Sequence, residues 1–340
     1  MIKGIAILIM IFHHFYGLYA IPDSKGILEA LSQDSIFCLF HFFAKYGKIC
    51  VLLFAFVTGY GYYIIIKKER TSIFASICKR LCSFYPFFIL FVSGVYLIMC
   101  IFPSHINLTL EKAILQCCGV NYISDYWYIA VVLSGALFYF PILLYSKRKN
   151  EICHISCFLL LMVINHFSYP LYHVLTHNCG AGNLLERIPV QGMSLAIPYF
   201  LLGYACRYIF ENHHNIKNAL IVGLPSLANA YFFSWNSRYL FLIILILFVV
   251  KLNCIRKSII TPILLILGQY SACMWLNHRL VFGYWFSDVF YSIPNPLNYL
   301  MVVLLSLLLS IVITKFWISI KSLGMCYLLK IRERLNLYSE

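Results

Sequence analysis

Charge is what this chain lacks. Of its 340 residues only 11% are Asp, Glu, Lys or Arg, against 62% that are hydrophobic. A soluble domain sits nearer a quarter charged and half apolar, so this composition excludes a water-exposed globule. Acid is the scarcer sign, with 12 Asp and Glu against 26 Lys and Arg. The net charge of +14 does not mark a nucleic-acid surface, because the basic residues fall in short clusters between apolar runs and form no single patch. Signals for other common chemistries are missing too. There is no Walker A loop, no His-Glu-x-x-His and no Gly-x-Ser-x-Gly elbow. The 14 cysteines include no Cys-x-x-Cys pair and no Cys/His spacing suited to zinc, so no metal is expected. Cys50, Cys100, Cys206 and Cys273 stand inside apolar runs, as small buried hydrophobes do. Gly59-Tyr60-Gly61 alone implies helix packing.

What is present is hydrocarbon in long runs. A spanning helix needs about 20 mainly apolar residues. The chain offers about ten such segments, near 4–21, 37–65, 82–103, 127–146, 151–167, 192–210, 217–233, 237–250, 259–286 and 297–320. The expected fold is an all-α, polytopic transmembrane bundle. The first run could pass for a signal peptide, but two imidazoles in its middle, His13 and His14, argue against cleavage. Aromatics make up 17% of the chain, many of them near segment ends, as in the interfacial belts of membrane proteins. Lys67, Lys68, Arg70, Lys79 and Arg80 mark one set of loops, and Lys147, Arg148 and Lys149 fall in the same set. Cations concentrate on the cytoplasmic side, so both termini are expected inside. Residues 1–321 are expected to make the transmembrane domain and 322–340 a cytoplasmic tail, whose end from Lys330 to Glu340 looks amphipathic or frayed. The segments 104–126 and 168–191 are expected to lie outside and are too short to fold alone.

Ionisable side chains are costly in a bilayer, so each is a site candidate. Lys3 and His14 are eleven positions apart. Eleven steps make three helical turns plus roughly 20°, which puts both on one face about 16 Å apart. That is a cation at the membrane surface and a proton acceptor deep in the bundle. A neutral imidazole can take the proton of an alcohol as it attacks a carbonyl; otherwise His14 is a core histidine bonded to a neighbouring helix. His13 points about 100° away and suits the structural role better. Lys79 and Arg80 open the third span, where backbone N–H groups and guanidinium together suit a phosphate or where the charges merely set topology. Asn277-His278-Arg279 lies within the ninth span, with Arg279 expected to face an outer cavity or snorkel outward. His278 could line the same cavity as His14. Arg187, beside Glu186, is an ion-pair partner or an acceptor-binding group. Trp127 is an interfacial anchor or a sugar-stacking platform.

The run from Lys3 through His14 resembles the first helix of the acyltransferase family 3 membrane proteins: a basic residue, ten residues, then His. Other segments agree in order. Tyr46-Gly47 through Gly59-Tyr60 resembles the second helix, and Lys79-Arg80 through Tyr85-Pro86 the basic start of the third. Tyr126-Trp127-Tyr128 through Pro141 resembles the aromatic-led fourth. Arg187-Ile-Pro189 and Pro198 through Gly203 fit the central part, and Gly268-Gln-Tyr-Ser271 through Asn277-His278 the late segment. Where the family often has a second Arg three places after Arg80, this chain has Ser83. The outer hydrolase-like domain of some members is absent. The resemblance implies transfer of an acyl group, acetyl first of all, from acyl-coenzyme A (acetyl-CoA) to a sugar hydroxyl. The acceptor would be a surface glycan or lipid-linked saccharide. The setting would be the bacterial cytoplasmic membrane and its lipid, beside other polysaccharide-assembly proteins. It implies His14 as the catalytic base or a transient acyl carrier. Lys3, Lys79 and Arg80 would hold the coenzyme phosphates, and Trp127, Arg187 and His278 would contact substrate. The competing readings are a transporter or flippase of an amphipathic solute, and a non-catalytic scaffold.

Overall fold

A computed structural model describes residues 1–18, 29, 31–69, 73–102, 108–118, 120, 199–200, 203, 207, 260–284 and 286–337. Side chains are described for these except 65–69, 73, 74, 76, 77, 80, 284 and 325–337. The described residues are helical and contain no strand. The expected fourth to eighth spans lie outside them, apart from four residues of 192–210.

In chain order the described elements are α1 (Ile2–Tyr16), α2 (Ser35–Ala44), α3 (Ile49–Glu69), α4 (Ile73–Ile101) and α5 (Leu110–Cys117). They continue with α6 (Ile260–Arg279), a π-helical turn (Leu280–Tyr284), α7 (Ser287–Ser292) and α8 (Leu297–Leu337). Among the described residues, three stretches are long and apolar enough to cross a membrane: Leu81–Ile101, Ile260–Gly283 and Leu297–Gly324. α2 and α3 make a fourth if counted as one broken span, bent by 45°.

The expected second span, 37–65, is thus two helices. The break falls at Lys45-Tyr46-Gly47-Lys48, and glycine is required there by a close approach. A Cβ on Gly47 would lie 2.3 Å from the Cβ of His13 on α1. α1 itself is short. Its 15 residues rise about 22 Å, less than the roughly 30 Å hydrocarbon core. A helix ending at such depth must find donors for its last carbonyls. Here Tyr291 donates its hydroxyl to the Phe15 carbonyl at 2.6 Å, and His41 Nδ1 lies 2.6 Å from the Tyr16 carbonyl.

α1 lies parallel to α6. A Cβ on Gly4 would fall 2.2 Å from the Leu264 carbonyl oxygen, and one on Gly268 would fall 3.3 Å from the Gly4 nitrogen. Ten residues further along both helices, His14 meets His278. α8 runs the other way: Asn298, near its start, takes the Tyr16 hydroxyl at 3.1 Å, and further on Asn277 of α6 meets Ser306 and Ser310 while Cys273, one turn earlier, meets Ser310 and Thr314. α3 also runs back along α1, and residues 70–72 join it to α4. The end of the bundle where α1 begins therefore also holds the start of α4 and the far end of α8. α8 has 41 residues, about 62 Å, so it outruns the bilayer at that end.

The tail from Lys330 continues α8 as helix to Leu337. Within the expected outer segment 104–126, the described α5 folds back against α4, and the Tyr85 hydroxyl donates to the Cys117 carbonyl. Tyr85 is sixteen residues before the end of α4, about 24 Å along its axis. Thr109 caps α5 by accepting from the Lys112 N–H at 3.4 Å, and its buried face, Ala113 and Gln116, points inward.

Aromatic rings fill the core around the end of α1. Phe15 stacks on Tyr291 with centroids 4.7 Å apart and meets Phe282 edge-on at 5.3 Å. Beside them a polar seam ties α6 to α8: Asn277 Nδ2 donates to the Ser310 hydroxyl at 2.8 Å and the Ser306 carbonyl at 3.2 Å.

Candidate active site

The site is built where the parallel helices α1 and α6 touch. The His14 Nδ1 lies 2.7 Å from Nε2 of His278, and the rings are nearly parallel, 12° apart in plane. His14 is partly exposed whereas His278 is fully buried. Behind the pair, Nδ1 of His278 lies 2.8 Å from the Trp275 carbonyl and 3.1 Å from that of Met274. A carbonyl oxygen only accepts, so this nitrogen carries a hydrogen. Both ring nitrogens of His278 are thus engaged within the protein.

His13 takes the other face, as its position one residue on demands. Its Nδ1 lies 2.5 Å from the Ala44 carbonyl, at the broken end of α2, and the residue is 5% exposed. Lys3 is exposed and packs beside Gly268, so Lys3 and His14 do share the face turned to α6. Lys79 is exposed on α4, at the end of the bundle where α1 begins. The side chain of Arg80 lies outside the described residues, as do Trp127 and Arg187.

Arg279 departs from expectation. It neither snorkels nor faces water: it is 4% exposed. The depth of this guanidinium is not visible in a hydropathy pattern. The π turn Leu280–Tyr284 follows it directly, and such turns are frequent at functional sites.

A chain of polar groups leads from the Tyr16 end of α1, next to this region, outward to the start of α2. Tyr16 donates to Asn298, Asn298 donates to Asn295 at 2.8 Å, and Asn295 donates to the Asp34 carboxylate at 2.8 Å. Asp34 caps α2 by accepting from the N–H groups of Ile36 and Phe37. The Asn295 amide, then these backbone donors, hold the Asp34 carboxyl below its ordinary range.

Acyltransferase family 3, whose model is described as an acyltransferase domain, matches residues 1–315. The chain belongs to acyltransferase family 3. The matched residues take in every element described, save the last part of α8. Comparison with curated proteins and with solved structures returned no match. With its apolar spans, this acyltransferase is a multi-pass membrane protein. The His14–His278 contact joins the first and the late segments of the family pattern in one place.

Proposed function

We propose that this membrane acyltransferase moves an acetyl group from acetyl-coenzyme A to a hydroxyl of a surface or exported glycan, with His14 as general base. The observation that carries the reading is that His14 is a partly exposed imidazole about 16 Å from a surface cation on one helix face, held by a fully buried partner. His14 Nε2 takes the proton of the acceptor hydroxyl while that oxygen attacks the thioester carbonyl carbon. The carbon–sulfur bond then breaks, and the leaving thiolate takes the proton back from His14. The products are an ester and free coenzyme thiol, and His14 is regenerated. Lys3, Lys79 and Arg80 supply cations for the coenzyme phosphates. Trp127 and Arg187 contact the acceptor.

The setting that goes with this reading is a bacterial cytoplasmic membrane. About ten spans, residues 1–321, form the catalytic domain; both termini are cytoplasmic and 322–340 is the tail. The donor comes from the cytoplasm and the acceptor, a glycan or lipid-linked saccharide, meets it in the bundle beside other polysaccharide-assembly proteins. The test is acetyl transfer and thiol release from acetyl-coenzyme A by membranes containing each variant. Removing a general base costs about 10²–10⁴-fold in rate, so His14→Ala and His14→Gln should both lose that much turnover with donor affinity kept. Full turnover in His14→Ala, or no reaction of the wild type with acetyl-coenzyme A, overturns the proposal.

A further inference from the structure

We infer that His278 is a positioning residue: it fixes His14 in the tautomer whose lone pair sits on Nε2, the ring nitrogen on the far side from His278. The inference rests on the reading of His14 as base. Nδ1 of His278 faces the Trp275 and Met274 carbonyls at 2.8 and 3.1 Å, so it must be the protonated nitrogen. In the neutral ring, Nε2 of His278 then holds the lone pair. That lone pair faces His14 Nδ1 at 2.7 Å, so His14 Nδ1 is the donor. In a neutral His14 only Nε2 is left to accept a proton.

The same bond serves the next state. Once Nε2 of His14 has taken the acceptor's proton, the Nδ1–H becomes a charged donor, and charge-assisted hydrogen bonds are about twice as strong as neutral ones. His278 therefore both selects the reactive tautomer and stabilises the imidazolium, as a buried acceptor behind a catalytic histidine does. The scaffold is rigid at this point. Asn277, next in the chain, is fully buried and held to α8 through Ser306 and Ser310, so the His278 ring projects from a fixed stretch of α6. A packing role alone explains neither the unique hydrogen assignment nor the burial of both ring nitrogens on partners.

The experiment uses full-length protein in membranes with acetyl-coenzyme A as donor, reading thiol release and acetyl transfer. His278→Phe keeps the volume and loses the acceptor; His278→Gln loses volume but keeps an oxygen that can accept from His14 Nδ1–H. The expected result is a fall in kcat of about 10²-fold for His278→Phe, with KM for the donor unchanged and most of the rate recovered in His278→Gln. In a His14→Ala background His278→Phe should cost less than about twofold more, since residues acting as a unit are not additive. If His278→Phe does not fold, His278→Leu takes its place. Wild-type turnover in His278→Phe or Leu, an equal fall in His278→Gln, or losses that multiply with His14→Ala would overturn the inference. Full activity of His14→Ala would instead remove the base itself, so the two failures are distinct.

Discussion

His13 and His14 are adjacent on α1 and differ in what they hold. His13 is buried and satisfies the Ala44 carbonyl where α2 breaks. Leaving a buried carbonyl unpaired costs about 1–3 kcal/mol. His13→Ala should therefore lower the melting temperature while turnover of the folded fraction falls only a few-fold, measured in one preparation. A loss of turnover as deep as that of His14→Ala, at unchanged stability, would show that the wrong imidazole has been assigned. The division between the two was legible in the sequence, because the 100° step between neighbours on a helix puts only one of them in register with Lys3. The partners were not. His41 and Ala44 meet α1 only because the chain breaks at Gly47, and the His14–His278 contact spans 264 positions. A sequence without distances cannot say which nitrogen carries the hydrogen. Arg279 misled for a related reason: charge near the end of a span suggests snorkelling, and only packing shows it buried.

At the scale of elements, glycines set how closely α1 and α6 approach, and three of them should behave differently on the same substitution. Gly4→Ala places a methyl 2.2 Å from the Leu264 carbonyl oxygen, a backbone atom that cannot turn away. The helices must separate, at a cost of about 1–3 kcal/mol or more, and His14 must move from His278. Gly268→Ala meets its nearest neighbour at 3.3 Å and should need only a small shift. Gly94 on α4 has nothing within 4 Å, so Gly94→Ala should be neutral or stabilising by up to about 1 kcal/mol. Melting temperatures and acetyl transfer for the three variants should rank in that order, and equal effects would refute the close approach. The loop end of α1 offers a second test. Asp34 is held below its ordinary range by Asn295 and its cap donors. A depressed carboxyl contributes stability above its unfolded value, near 4, and loses it as pH falls through the folded one. The melting temperature of wild type should thus drop toward that of Asp34→Asn as pH is lowered below about 4. A constant difference between them down to acid pH would rule this contribution out. Hydropathy located the apolar membrane-crossing stretches of α4, α6 and α8 within a few residues, since a bilayer span needs about 20 apolar positions. It missed the break in α2–α3, because residues on both sides are equally apolar, and the return of α5, because eight residues with Glu111 and Lys112 look like any surface segment.

Across the whole molecule, direction is fixed by contacts before any face of the membrane is assigned. Gly4 against Leu264 and His14 against His278 make α1 and α6 parallel. Asn277 on Ser306 and Ser310, with Cys273 one turn earlier on α6 meeting Ser310 and Thr314 one turn later on α8, makes α8 antiparallel to both. Met1 and the far end of α8 therefore share one end of the bundle, and the Asp34–Asn295 contact lies at the other. In the proposed reading the clustered Lys and Arg place this shared end in the cytoplasm, where the proposed coenzyme donor would meet Lys3 and Lys79. Reporter fusions ahead of Met1 and after Glu340 should both report a cytoplasmic position, and one inserted between residues 19 and 28 should report the opposite side. Opposite signals from the two termini would contradict the antiparallel α8. Matching but external signals would leave the bundle intact and reverse it in the membrane, which would put the cations on the side without coenzyme and remove the proposed route of the donor to His14.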